Sequence, residues 1–200
     1  MLSKPAVTGS PIHDLLASRW SPRAFDTDKH ISREQILALV EAARWAPSCF
    51  GDEPWRVIVW DRARDHESWQ KAFDCLAESN QAWVKNTPLL FVVGADPQFR
   101  HNRKDNRWAQ YDSGAAGISL CLQAVALGLA AHQMGGFDAQ KIHEAFGVPA
   151  HITLMSMIAV GYQAAPDVLT GEVREREIAP RQRRPLGEIF FEGGWGIPIN

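Results

Sequence analysis

The sequence has few cysteines, almost no tyrosine, no charge excess and no long apolar span, and each shortage removes a class of protein. Cys49, Cys75 and Cys121 are its three cysteines. An odd count, widely spaced and without a Cys-x-x-Cys pair, argues against a disulfide framework and against a structural zinc site. It accords with a reducing compartment, so a cytoplasmic protein without a bound metal is expected. The formal net charge is -2, so no global field draws the chain to nucleic acid or to an anionic membrane. The opening residues, MLSKPAVTGSP, contain no apolar h-region, and no secretory signal is expected. The most apolar stretch, residues 114–131, reads GAAGISLCLQAVALGLAA and lies at the lower edge of a bilayer-crossing length. It lacks an aromatic belt and basic flanks, and its small residues fit a buried helix closely approached by another element. No Gly-x-Gly-x-x-Gly stands between a strand and a helix, so a Rossmann dinucleotide site is not indicated.

What is present is a chain of 200 residues, 46% hydrophobic, which is enough for one domain with a sizeable core. Ser10-Pro11 reads as a helix start, with a Ser cap followed by Pro at the first helical position. Ser32 with Gln35 forms a capping-box pattern, and Ile36, Val40 and Ala43 fall on one helical face. WRVIVWD (55–61), LLFVVGA (89–95) and the run 152–160 read as strands, the second buried on both sides. Helices are expected around 66–77, from about 112 to 131, and from a cap at Asp138 to Phe146, where Gly147 and Pro149 stop it. Residues 96–106 read as an exposed charged loop. The end of the chain, IFFEGGWGIPIN, is too apolar to hang in water and should dock on its own domain or on a partner subunit. Few strands separated by helices imply an α+β or α/β layered domain around one sheet.

Four segments carry chemistry. Arg19-Trp20-Ser21-Pro22-Arg23 puts two guanidinium groups and a hydroxyl just after a helix, which suits a phosphate; a solvated basic turn is the alternative. Ala46-Pro47-Ser48-Cys49-Phe50-Gly51 is small and bent, so a ligand could approach its backbone, or it is a plain helix-to-strand connection. Cys49 has no neighbouring His to favour a thiolate nucleophile. Gln133-Met134-Gly135-Gly136-Phe137 offers bare N–H donors, or is a turn needing positive φ. Arg181-Gln182-Arg183-Arg184 is the densest basic run. It suggests phosphate, RNA or a soluble face, and the nearby acidic residues of GEVRERE weigh against nucleic acid.

In this order the segments resemble the FMN-dependent nitroreductase family over residues 13–189. Arg19, Ser21, Arg23 and Phe25 fill an Arg-x-Ser-x-Arg/Lys-x-Phe pattern. Ala43 to Ser48, followed by Pro54-Trp55, fill a second pattern; Gly128-Leu129 with Gly135-Gly136-Phe137 fill a third; Arg183-Arg184-Pro185-Leu186 fill the last. The resemblance implies a three-layer fold with a central mixed, mostly antiparallel sheet flanked by helices. It implies one domain over 1–200 in an intertwined homodimer, the tail from about 186 docking on the partner. It further implies FMN as cofactor and NADH or NADPH as donor. The activity implied is hydride transfer through flavin N5 to a nitroaromatic, a quinone or a similar acceptor. Dehalogenation, flavin destruction, dehydrogenation or a non-catalytic flavin carrier on the same scaffold are alternatives. By the same resemblance Arg19, Arg181 and Arg183 grip the FMN phosphate, with Ser21 and Trp20 at the phosphate or ribityl end. Arg23 lies near N1 and the C2 carbonyl, and Asn80 near the pyrimidine edge. Met134, Gly135 and Gly136 lie near N5 and O4, while Pro47, Ser48 and Cys49 come from the other subunit. Gly51, Asp52 and Glu53 depart from the Asn and Gln frequent in relatives just before Pro-Trp.

Overall fold

The computed structural model describes residues 2–199. A four-stranded sheet in the order β1-β2-β4-β3 lies at its centre, with β1 at Trp55–Asp61, β2 at Leu89–Ala95, β3 at Ala130–Met134 and β4 at Thr153–Gly161. All three pairings are antiparallel, so the parallel component of the expected mixed sheet is not found among the described residues. Strand β2 is buried along its whole length, which explains its unbroken apolar sequence. Leu89, Phe91 and Val93 point to one layer, and Leu90 and Val92 to the other.

The first layer holds α2 (Arg33–Arg44) and α5 (Ala109–Ala126), packed through Ile36, Leu39, Ala116, Leu120 and Ala124. The second holds α3 (His66–Asp74), α4 (Glu78–Val84) and α6 (Ala139–Phe146), packed through Trp69, Trp83 and Ile142 against Trp60 and Met157. The result is the α+β three-layer arrangement expected. At α2 the capping box is complete: Ser32 Oγ accepts from Gln35 N–H and Gln35 Oε1 accepts from Ser32 N–H. At α6, Asp138 caps the start and Gly147, at φ 64°, ends the helix in the left-handed region.

Several boundaries differ from the sequence reading. Helix α1 is Asp14–Ser18, capped by His13 Nδ1 and not by Ser10, so the Ser-Pro pair precedes the helix rather than opening it. The apolar run beginning at Gly114 is not one helix. Gly128 takes φ 72° after α5, and residues from Ala130 onward form edge strand β3. Helices α4 and α7 (Gly171–Ile178) were unforeseen, because neither has an apolar stripe of useful length. The segment 96–106 is less exposed than its charge suggests: Asp96, Phe99 and Asn106 are buried, and Phe99 N–H donates to Lys104 O. The C-terminal apolar segment folds on itself through a Phe191–Pro198 bridge and a Phe191–Trp195 ring contact at 4.9 Å, leaving Trp195 93% exposed.

Candidate functional site

Beyond α1 the chain straightens and runs beside the end of β4. Ala164 N–H donates to Ala24 O and Asp26 N–H to Tyr162 O, both at 2.9 Å. Residues 19–24 are thereby held as an extended strap across the sheet edge. Glu177 of α7 fixes the strap from beneath. Its carboxylate is fully buried and accepts from Arg23 N–H at 2.8 Å and from Ala24 N–H at 3.3 Å. The Lys4 ammonium donates to Glu177 O at 2.8 Å and lies 4.5 Å from the centre of the half-buried Trp20 ring. Arg181 closes the circle, its guanidinium donating to Lys4 O at 2.7 Å and Ala17 O at 3.0 Å. Both ends of the chain are therefore stitched around the Arg19–Arg23 segment. Lys4 and Glu177 were not singled out by the sequence.

The electrostatics of this corner are lopsided. Burial lowers the Arg181 pKa, and the neighbouring charges of Arg19 and Arg183 lower it further. Lys4 is lowered by burial, against the pull of Glu177, and then by Arg23 and Arg181. Arg23 is lowered by burial, again opposed by Glu177, and by Arg176. Arg19 reaches Ser21 Oγ at 3.5 Å, and Arg183 donates to the carbonyl of Gln182. Among the described residues none of Arg19, Arg23, Arg181 and Arg183 has a carboxylate within ion-pair distance. Guanidinium groups crowded together without carboxylate partners form a donor set suited to phosphate oxygens.

Strand β3 borders this corner. His132 Nδ1 lies 3.0 Å from Pro22 O, and since a carbonyl can only accept, Nδ1 carries the proton. The imidazole sits 4.6 Å from the Trp83 ring. Burial chiefly, with Arg23 and Arg19 adding to it, pushes its pKa from the ordinary 6.5 down to about 4. The folded state then binds fewer protons at this ring than the unfolded chain. Stability is fully present above pH 6.5 and is lost as pH falls toward 4, by about 3 kcal/mol at most. Urea titrations between pH 7 and 4 should show this slope, and His132→Asn should flatten it; an unchanged slope in the variant would assign the acid sensitivity elsewhere. On the opposite face of β3, Gln133 Nε2 donates to Cys121 Sγ at 3.4 Å, and burial raises that thiol to about 11. Cys121 is thus a packing residue, not a nucleophile.

At the end of β3 follow Met134, Gly135 and Gly136. Asn80 Nδ2 and Ala77 N–H both donate to Gly136 O, at 2.9 and 3.0 Å. A Cβ on Gly136 would lie 2.9 Å from Asn80 Nδ2, whereas nothing stands within 4 Å of one on Gly135. Neither glycine has positive φ, so the left-handed turn considered for this pair does not occur. Gly136 is required by close approach, and Gly135 leaves backbone open beside the strand end.

Pro47, Ser48 and Cys49 stand elsewhere. Cys49 N–H donates to the buried Asp112 carboxylate at 2.9 Å, and Ser48 Oγ accepts from Glu53 N–H at 3.0 Å. Asp112 and Cys121 are nine residues apart on α5, roughly 13 Å along its axis. The fold therefore brings Arg19, Trp20, Ser21, Arg23, Arg181 and Arg183 together. It joins Asn80 to Met134, Gly135 and Gly136 a few residues along β3, and it leaves Pro47, Ser48 and Cys49 near the far end of α5.

The same fold recurs in known proteins. An FMN-containing oxidoreductase of known crystal structure superposes with a TM-score of 0.89 at 33% identity, covering 98% of both chains. A nitroreductase of Desulfovibrio desulfuricans, provisionally so named and solved in complex with FMN, shares the fold with a TM-score of 0.72 at 24% identity, covering 94% of this chain and 99% of its own. In sequence, an Archaeoglobus fulgidus protein bearing the provisional name NADH dehydrogenase/NAD(P)H nitroreductase is 30% identical over 152 residues, which is 74% of this chain and 83% of that protein. The profile of the Nitroreductase family matches residues 16–162, and the chain belongs to that family.

Proposed function

We propose that the protein is an FMN-dependent oxidoreductase that takes a hydride from NADH or NADPH and passes it to a nitroaromatic, a quinone or a similar planar acceptor. The observation that carries this reading is the cluster in which Arg181 has Arg19 and Arg183 as charged neighbours, all three without carboxylate partners among the described residues. When bound, FMN supplies two-electron hydride chemistry at its N5. With a nitro acceptor, one hydride from the nicotinamide and one proton convert the nitro group to a nitroso group and release water. The chain's own residues hold and orient. Arg19, Arg181, Arg183 and Ser21 are assigned to the phosphate, with Trp20 beside the ribityl end. Arg23 is assigned to the pyrimidine edge near N1 and the C2 carbonyl, where a fixed cation stabilises developing negative charge. Asn80 has its amide N–H committed to Gly136 O and keeps a carbonyl for the same edge. Met134, Gly135 and Gly136 are assigned to the N5 and O4 side through open backbone.

In the same reading the protein is a homodimer, with Pro47, Ser48 and Cys49 of each chain lining the ring held by the other. Their distance from the arginines within one chain supports this arrangement. The exposed C-terminal apolar tail, including Phe190 and Trp195, is assigned to the partner's surface, and residues 1–200 to a single domain. Cys49, Cys75 and Cys121 are free thiols, which supports a cytoplasmic location. Among the described residues no helix is long and apolar enough to cross a membrane. The test is a visible spectrum of purified protein before and after NADH or NADPH. A yellow protein whose flavin bands bleach and then recover on adding a nitroaromatic or quinone is expected. A protein that takes up no FMN would overturn the reading, and bound FMN that neither nucleotide bleaches would favour a non-catalytic carrier.

A further inference from the structure

Beside Ser48 and Cys49 lies a feature that the flavin assignments leave unused. Phe50 is 83% exposed and holds φ 55°, ψ 18°, left-handed backbone that a bulky residue adopts at a cost. Three residues later Glu53 is also left-handed, at φ 53°. The Phe50 ring meets Phe99 edge-on at 5.9 Å and His101 at 6.1 Å. Between these groups opens a cavity of about 290 Å³ lined by Phe50, Gly51, Asp52, Arg100 and His101. Its floor is built, not incidental. Asp52 is nine-tenths buried, its Oδ1 accepting from Arg100 N–H at 2.9 Å and lying 3.9 Å from His101 Nδ1. One sealed carboxylate thus ties the strained loop to the 99–101 segment.

Among the lining residues Arg100 is the cation and the sealed Asp52 the anion, and the exposed segment that follows is rich in basic residues. Arg100 and His101 are exposed, and Arg103, Lys104 and Arg107 follow on the same segment against a single acid, Asp105. Glu53, the other acid of the strained loop, faces Arg44. Within one chain the Phe50 ring touches Phe99 and His101 and leaves most of its surface open. We infer that this pocket is an acceptor-selecting wall. Phe50 stacks on a planar aromatic acceptor, and Arg100, with His101, favours acceptors bearing an anionic substituent such as a carboxylate. The inference rests on the proposal that Ser48 and Cys49 border the flavin, since that places Phe50 at the open face of the ring.

The experiment compares 4-nitrobenzoate with its neutral isostere 4-nitrobenzamide on FMN-loaded dimer, with flavin occupancy measured in every sample. Wild-type protein should bind 4-nitrobenzoate more tightly by calorimetry in the absence of NAD(P)H, and raising salt should erode the difference. Arg100→Gln should lower the benzoate-to-benzamide ratio of kcat/KM on the order of fivefold, and Arg100→Lys should restore part of it. Phe50→Leu should raise KM for both acceptors on the order of fivefold through lost stacking. Phe50→Gly, which relieves the left-handed strain, should raise both KM values while raising Tm. An identical ratio in wild type and Arg100→Gln at full flavin occupancy would overturn the inference. Preparations that take up no FMN would instead overturn the function on which it rests.

Discussion

Replacing Arg19 with alanine is expected to weaken FMN binding by about 2–3 kcal/mol, on the order of a hundredfold in Kd. The loss is large because the guanidinium is one of three that converge, and a charge-assisted fork to phosphate is among the strongest hydrogen bonds a protein makes. The same crowding makes a second, opposite prediction. In the empty site Arg19 and Arg183 repel Arg181, whose pKa is lowered by burial and by both neighbours. Removing Arg19 should therefore leave the flavin-free protein as stable as wild type or slightly more so. A packing role for Arg19 predicts the reverse, lower stability with or without flavin. Fluorescence titration of flavin-free protein with FMN and with riboflavin separates the terms, because riboflavin lacks the phosphate. Arg19→Ala should cut FMN affinity sharply and riboflavin affinity little, and Arg64→Ala should change neither. If wild-type protein binds riboflavin as tightly as FMN, the arginine cluster is not a phosphate site.

The elements legible in the sequence were those whose pattern follows from local physics. Strands β1, β2 and β4 stood out because a strand covered on both faces or packed on one needs apolar residues at short period. The starts of α2 and α6 were readable from Ser32 with Gln35 and from Asp138, which cap through their own side chains. Strand β3 was not. Ala130 and Ala131 have weak strand preference and continue the apolar composition of α5, so only the left-handed Gly128 separates helix from strand. At the site, Arg19, Ser21 and Arg23 were visible as a local cluster. Their meeting with Arg181 and Arg183 spans nearly the whole chain, so only the family resemblance suggested it. Lys4 gave no signal at all. Glu177 gave a faint one: it lies four residues after Val173, the residue of α7 that packs on the core, so its carboxylate belongs on the inward face of an otherwise solvated helix.

That inward carboxylate carries the second large effect. Glu177→Ala should destabilise the protein by about 3–5 kcal/mol, lowering Tm by roughly 10 °C, and should weaken FMN binding as well. Two backbone donors, Arg23 N–H and Ala24 N–H, would be left without an acceptor in a fully buried position. Lys4 and Arg23 would also lose the one anion that offsets their desolvation. Glu177→Gln keeps the volume and one acceptor oxygen but turns an amide N–H toward a backbone N–H, so its loss should fall between alanine and wild type. The two readouts are separable. Thermal melts of flavin-free protein report the strap alone, and FMN titration below Tm reports whether a loosened strap still presents Arg19, Ser21 and Arg23. An alanine variant that melts within a degree of wild type would show that the strap does not depend on this carboxylate. The same balance supports the proposed assignment of a phosphate dianion to this corner. Glu177 is one negative charge among Lys4, Arg19, Arg23, Arg181 and Arg183, enough to anchor the backbone and too little to neutralise the cations above it. A second buried acid at this place would hold the loop as well, yet would fill electrostatically the position assigned to the phosphate.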